Sequence, residues 1–208
     1  MSAFYPIMLK MEGREAFVIG GGKVAERKIY GLLNAKAKVT IISPAVTIGL
    51  RELIKEGKCR WLQKEFEAID IEKAFIVIAA TNDREINLLV YHSLAPHQLI
   101  NVVDRPDLSN FHVPSIIRRG KFYITISTSG ASPILTKKIK RKLEKEFNPE
   151  YGNYVDFLFN SRQFILKHIH NEEDKQRLLE EITSDAFLCH ADKERALSKL
   201  IESLKNDL

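Results

Sequence analysis

A glycine triplet, Gly20-Gly21-Gly22, separates the apolar run Ala16-Phe17-Val18-Ile19 from a segment whose apolar residues Val24, Ile29, Leu32 and Leu33 fall at helical spacing. Three consecutive glycines belong comfortably to neither a strand nor a helix, so the chain must turn there, and the local reading is strand, tight turn, helix. Together with Lys23, Val24 and Ala25 the triplet forms a GxGxxA pattern. In a dinucleotide-binding turn of that kind Gly20 would permit the turn, Gly22 would clear the backbone for a pyrophosphate, and Ala25 would let the helix pack closely on the sheet. The helix N-terminus would then face the phosphates. A glycine triplet alone is as readily a plain loop; its place between a strand and a helix is what points to a nucleotide.

The rest of the first half repeats the alternation. Lys38 to Ser43 is a β-branched run, Val46 to Glu56 a short helix, Cys59 to Leu62 a small strand, and Ala74 to Ala80 an apolar strand of the type buried on both faces. Glu85 to Ala95 returns as a helix and Leu99 to Val103 as another apolar strand, which predicts an α/β fold with a Rossmann-type, doubly wound parallel sheet. Phe122 to Thr128 alternates as a further strand, and Ser132-Pro133 opens a helix to Phe147 with a capping serine ahead of proline. After the Asn148-Pro149-Glu150-Tyr151-Gly152 break, apolar spacing predicts three amphipathic helices. The expected organisation is a nucleotide-binding domain over 1–113, a small strand-helix segment over 114–149 and a helical C-terminal domain over 150–208.

Residues at the carboxyl ends of parallel strands are where such sheets place ligands. An acidic residue that would grip the ribose, expected about 20 residues beyond the glycines, is missing, because the second strand ends Ile42-Ser43-Pro44-Ala45. No arginine replaces it, so backbone groups or Ser43 would have to hold the ribose, unless Ser43-Pro44 simply ends the strand. Thr81-Asn82-Asp83, small and polar, follows the apolar strand at this ligand edge, where Thr81 and Asn82 are candidate cofactor contacts, and helix capping by Asn82 or Asp83 explains the residues equally well. Asp104 closes the next strand; beside a nicotinamide it could accept a proton as hydride leaves a substrate, or it could pair with Arg105 or cap a turn.

Charge is uneven. The net +5 divides into 24 basic against 15 acidic residues up to Pro149 and 8 against 12 after it, and the stretch from Arg118 to Lys145 holds nine lysines and arginines. An anionic partner is expected there. Nucleic acid fits less well, since the basic run lacks interleaved aromatics or a docking motif. The six histidines have no metal-ligand spacing and His112 alone lies near the presumed cleft, so no metal site is expected. Cys59 and Cys189 are far apart, which suits a reducing, cytoplasmic setting, and the apolar runs fall short of the roughly 20 residues a membrane span needs.

The order of motifs resembles the siroheme-synthase dehydrogenase modules, that is, the precorrin-2 dehydrogenases, including the bifunctional sirohydrochlorin ferrochelatases. The resemblance rests on Tyr5-Pro6-Ile7, the block from Val18 to Lys28, Ala79 to Asp83, Asn101 to Asp104, Phe111 to Ile116 and Ser127 to Pro133. It implies NAD as cofactor, with contacts at Lys23 and Val24 and at Pro44 and Ala45, and a missing ribose acid as a family trait. It further implies Asp104 as the catalytic aspartate and oxidation of precorrin-2 to sirohydrochlorin. The basic stretch would meet an anionic, polycarboxylate tetrapyrrole, and a homodimer would form through about 114–147. Among family alternatives, dehydrogenation alone is favoured over added iron insertion; a non-catalytic NAD-sensing module is the competing class.

Overall fold

A computed structural model describes residues 4–206. The chain divides into two compact units at the Val113-Pro114 junction.

In the first unit the strands are β1 (Glu15–Ile19), β2 (Lys38–Ile42), β3 (Arg60–Leu62), β4 (Ile76–Ala79) and β5 (Leu99–Val102). All pair in parallel in the order β3-β2-β1-β4-β5. The order reverses between β1 and β4, so the crevice that receives ligands in a doubly wound sheet opens above the carboxyl ends of those two strands. The helices are α1 (Lys23–Asn34), α2 (Ile48–Lys55) and α3 (Arg84–His92).

Strand alternation sorts side chains to two covered faces. Val18, Val39, Ile41, Ile76 and Ile78 pack with Ala25, Ile29 and Leu32 of α1 and Leu50 and Leu53 of α2. Ile19, Ile42, Val77, Ala79, Ile100 and Val102 pack on the other side with Ile71 and with Val90 of α3. Both faces are therefore buried, which is why these strands read as continuous apolar runs.

The second unit opens with a hairpin, β6 (Ser115–Arg119) and β7 (Phe122–Ile126), antiparallel with Arg119 opposite Phe122. Gly120 takes the left-handed turn position at φ +58°. β6 is absent from the sequence expectation, because in Ser-Ile-Ile-Arg-Arg only Ile117 is buried and no apolar alternation announces it. Helix α4 (Pro133–Glu146) starts as expected: the Ser132 hydroxyl accepts from the Leu135 N–H at 3.2 Å, a cap worth about 1 kcal/mol.

Among the described residues four helices follow rather than the expected three: α5 (Glu150–His168), α6 (Glu172–Glu181), α7 (Asp185–Leu188) and α8 (Lys193–Asn206). The extra one, α7, is a single turn capped by Ser184, too short to display a period. Tyr154, Phe157, Ile165, Leu178, Ile182, Phe187 and Leu197 form their common core, and the Tyr154 hydroxyl donates to the Ile182 carbonyl at 2.7 Å.

Candidate active site

The glycine turn is built by backbone approach. Gly20 sits at φ +117°, and a Cβ there would stand 2.5 Å from the Ala80 carbonyl oxygen, so the ends of β1 and β4 touch through it. A Cβ on Gly21 would stand 2.0 Å from the Ala45 carbonyl oxygen, which locks the turn against the loop after β2. Gly22 differs: a Cβ there would meet nothing within 4 Å. It is the N-cap of α1 and supplies no side-chain acceptor, so the first-turn amides of the helix, with exposed Lys23 and Val24, border open space. Room and donors together fit the pyrophosphate of a dinucleotide.

The loop after β2 is held from several sides. The Trp61 indole N–H donates to the Ser43 carbonyl at 2.9 Å, Gln63 Nε2 to the Pro44 carbonyl at 3.3 Å, and the Ser43 hydroxyl to the Ala45 carbonyl at 2.7 Å. Ser43 thus spends its proton inside its own loop. Thr47 caps α2 through Leu50 N–H and donates to Glu26 Oε2 at 2.6 Å, tying α2 to α1. Trp61, Gln63 and Thr47 carry no motif and are not singled out by the sequence, and Glu26 stands in the block from Val18 to Lys28 without a role.

After β4, Asp83 is the cap of α3, accepting from Glu85 N–H at 2.8 Å and Ile86 N–H at 3.3 Å, while Asn82 is exposed at the rim. Thr81 is engaged by Asn87, a residue of α3 only 1% exposed. Asn87 Oδ1 accepts from the Thr81 N–H at 3.2 Å and lies 2.9 Å from its hydroxyl, and Nδ2 donates to the Thr81 carbonyl at 3.2 Å.

Asp104 follows β5 at an exposed position, its side chain 30% exposed. Its Oδ1 accepts from Asn87 Nδ2 at 2.9 Å, and its Oδ2 lies 3.9 Å from Nε of the largely exposed Arg84. Arg105 is not its partner: that guanidinium grips Asp107, with Nη2 to Oδ2 at 2.6 Å and Nε to Oδ1 at 2.9 Å. The bond holds Asp107 below the usual carboxylate range and raises Arg105 further. One oxygen of Asp104 is therefore fixed and the other is turned to a screened, exposed cation, an arrangement open to a proton acceptor's task.

Lys28 of α1 is half-buried and donates to Asn101 Oδ1 at 3.1 Å; burial, with a smaller contribution from Arg27, lowers its pKa. Asn101 in turn donates to the Phe111 carbonyl at 3.3 Å. His112 is a packed histidine, its ring 4.4 Å from that of Phe4, with Nε2 buried and unpartnered among the described residues. Among the described residues no group of three or more histidine, cysteine or acidic side chains is gathered as a metal site.

Three family models match the chain. One described as NAD(P)-binding covers residues 7–115, one described as the sirohaem biosynthesis protein central region covers 123–146, and one described as the SirC C-terminal domain covers 151–196. A precorrin-2 dehydrogenase of Priestia megaterium is 33% identical over 201 residues, 97% of this chain and 100% of that protein. The chain belongs to the precorrin-2 dehydrogenase family. The solved structure of SirC, precorrin-2 dehydrogenase, superposes with a TM-score of 0.84 at 33% identity, covering 96% of this chain and 100% of that one. A siroheme synthase of Actinobacillus pleuropneumoniae is 34% identical over 180 residues, 86% of this chain but 37% of that protein, so the chain spans under two fifths of that relative. The family membership and the parallel five-stranded sheet both agree with the expectation from the motifs.

Proposed function

We propose that this protein is an NAD-dependent precorrin-2 dehydrogenase, oxidising precorrin-2 to sirohydrochlorin in siroheme biosynthesis. The observation that carries the reading is Asp104: a carboxylate with one oxygen held by Asn87, at the same edge of the sheet as a glycine turn whose Gly22 leaves open space at a helix N-terminus. The full-length similarity to the Priestia megaterium enzyme supports it.

Bound NAD supplies a hydride acceptor. Gly20 and Gly21 hold the turn close to β4 and to the loop after β2, Gly22 admits the pyrophosphate, and the amides of Lys23 and Val24 receive it. Ser43, Pro44 and Ala45 border the ribose, with Thr81 and Asn82 toward the nicotinamide. Loss of a hydride and a proton from the substrate is the balance of the oxidation, and Asp104 takes the proton. The basic residues between Arg118 and Lys145 attract the substrate carboxylates.

The reading extends to a homodimer through 114–149, followed by a helical C-terminal domain over 150–208. Support comes from apolar side chains left uncovered in that segment: Ile134 is 83% exposed, and Leu135 and Ile116 are also exposed. A cytoplasmic setting is proposed on the two free thiols, Cys59 and Cys189; no helix among the described residues is long and apolar enough to cross a membrane. No membrane or nucleic-acid partner is part of the reading.

The test is formation of NADH when purified protein meets precorrin-2 and NAD, with NADP compared alongside. Nucleotide binding without an absorbance change would replace this reading by a sensor module. Ferrous iron and sirohydrochlorin added to the same preparation test for chelation, which is expected to stay at the uncatalysed rate.

A further inference from the structure

Asn87 sits on the buried face of α3, a polar side chain only 1% exposed. A buried amide is tolerated when all its hydrogen-bonding groups are satisfied, and here they are. An asparagine side chain offers two donor hydrogens and two acceptor lone pairs. The Thr81 N–H can only donate, so Oδ1 must face it; the Thr81 carbonyl can only accept, so Nδ2 must face that. With the amide orientation forced in this way, its remaining N–H is directed at Asp104 Oδ1, 2.9 Å away. Thr81 itself abuts the glycine turn, since a Cβ on Gly20 would lie 3.1 Å from the Thr81 nitrogen. One buried amide therefore connects the end of β4, beside the nucleotide turn, to the end of β5.

We propose that Asn87 is a positioning residue for Asp104: it holds Oδ1 and leaves Oδ2 to take the substrate proton, an inference that rests on the reading of Asp104 as the base. The charged groups around Asp104 do not perform this task. Arg84, from the first turn of α3, is 3.9 Å from Oδ2 with a side chain 87% exposed, and Arg105 is committed to Asp107. Asp83, also near the start of α3, is committed to capping. The neutral donor orients the carboxylate without placing a charge beside it.

Asn87→Asp preserves the acceptor for the Thr81 N–H and replaces the donor that serves both the Thr81 carbonyl and Asp104 by a second carboxylate oxygen. Two carboxylates at that distance cannot both ionise readily, so one proton is retained to higher pH. The expected result is an acid limb of kcat/KM for precorrin-2 oxidation moved upward by about one pH unit or more, with activity recovering above it. Asn87→Ala, which removes the donor without adding charge, should move the limb in the same direction by less and lower kcat about tenfold. Thermal melting and NAD titration accompany both variants. A limb that stays in place in whichever variant folds overturns the role, and so does failure of both to fold, which would make Asn87 structural. Asp104→Asn is assayed beside them: if it retains full turnover, the base reading itself fails, whereas its inactivity with an unmoved limb in the Asn87 variants removes this inference alone.

Discussion

The Trp61 indole N–H donates to the carbonyl of Ser43 at 2.9 Å, across 18 residues of sequence. Trp61 belongs to β3, the edge strand beyond β2, and with Gln63 it turns the carbonyls of Ser43 and Pro44 toward the sheet edge. No carboxylate is present in this loop to grip a ribose, so its shape must do that work. Trp61→Phe keeps an aromatic ring, though a smaller one, and deletes the donor. The expected outcome is a loss of about 1 kcal/mol in stability, the usual worth of one such bond, with NAD affinity falling several-fold in a calorimetric titration.

The three glycines should fail differently. Gly22→Asp puts a carboxylate into the open space over the α1 N-terminus, and NAD binding should be lost while the melting temperature stays near wild type. Gly21→Ala drives a methyl group into the Ala45 carbonyl oxygen at 2.0 Å, so it should instead destabilise the fold by about 3 kcal/mol, the upper end for overpacking. Melting and NAD titration of the pair check the division; equal stability loss in both would refute it.

Asp104→Ala separates a base from a structural turn residue. Because Arg105 is paired with Asp107, removal of Asp104 leaves that ion pair intact. Turnover should fall by about 10² to 10⁴, the span for loss of one acid or base, with NAD affinity retained and stability lowered by no more than about 1–3 kcal/mol for the Asn87 N–H left without its acceptor. Loss of activity only in proportion to unfolding would contradict the assignment.

Lys28 links stability to pH. Burial disfavours its charged form in the folded chain, so its pKa lies below the ordinary 10.5. Between that lowered value and 10.5 the unfolded chain binds more protons, and this group's contribution to stability therefore rises with pH through the window. Below the window its full burial cost is carried. Denaturant midpoints of wild type and Lys28→Met measured across alkaline pH should differ by a term with that slope; parallel curves would mean that Lys28 titrates normally.

The features legible along the chain are local in origin. The glycine triplet between two periodic segments places β1 against α1, and β-branched runs alternating with helical spacing yield the parallel sheet, because period reports which face of an element is covered. Ser132 was legible as a cap, and the carboxyl-edge positions of Ser43, Thr81 and Asp104 follow from where the strands stop. Tertiary structure alone decided the rest. Gly21 has no alternative to glycine because Ala45, 24 residues later, is brought against it by the β1-β2 register. Of Asn82 and Asp83, only folding chose the cap, and where the sequence allowed Asp104 a pairing with Arg105, folding gave Arg105 to Asp107 instead. Asn87 is the sharpest case. Within its own helix it is a polar residue among apolar ones, and its meaning appears only when the ends of β4 and β5 are carried to either side of it. A buried hydrogen bond is a three-dimensional coincidence of donor, acceptor and excluded water, and no spacing along the chain encodes it.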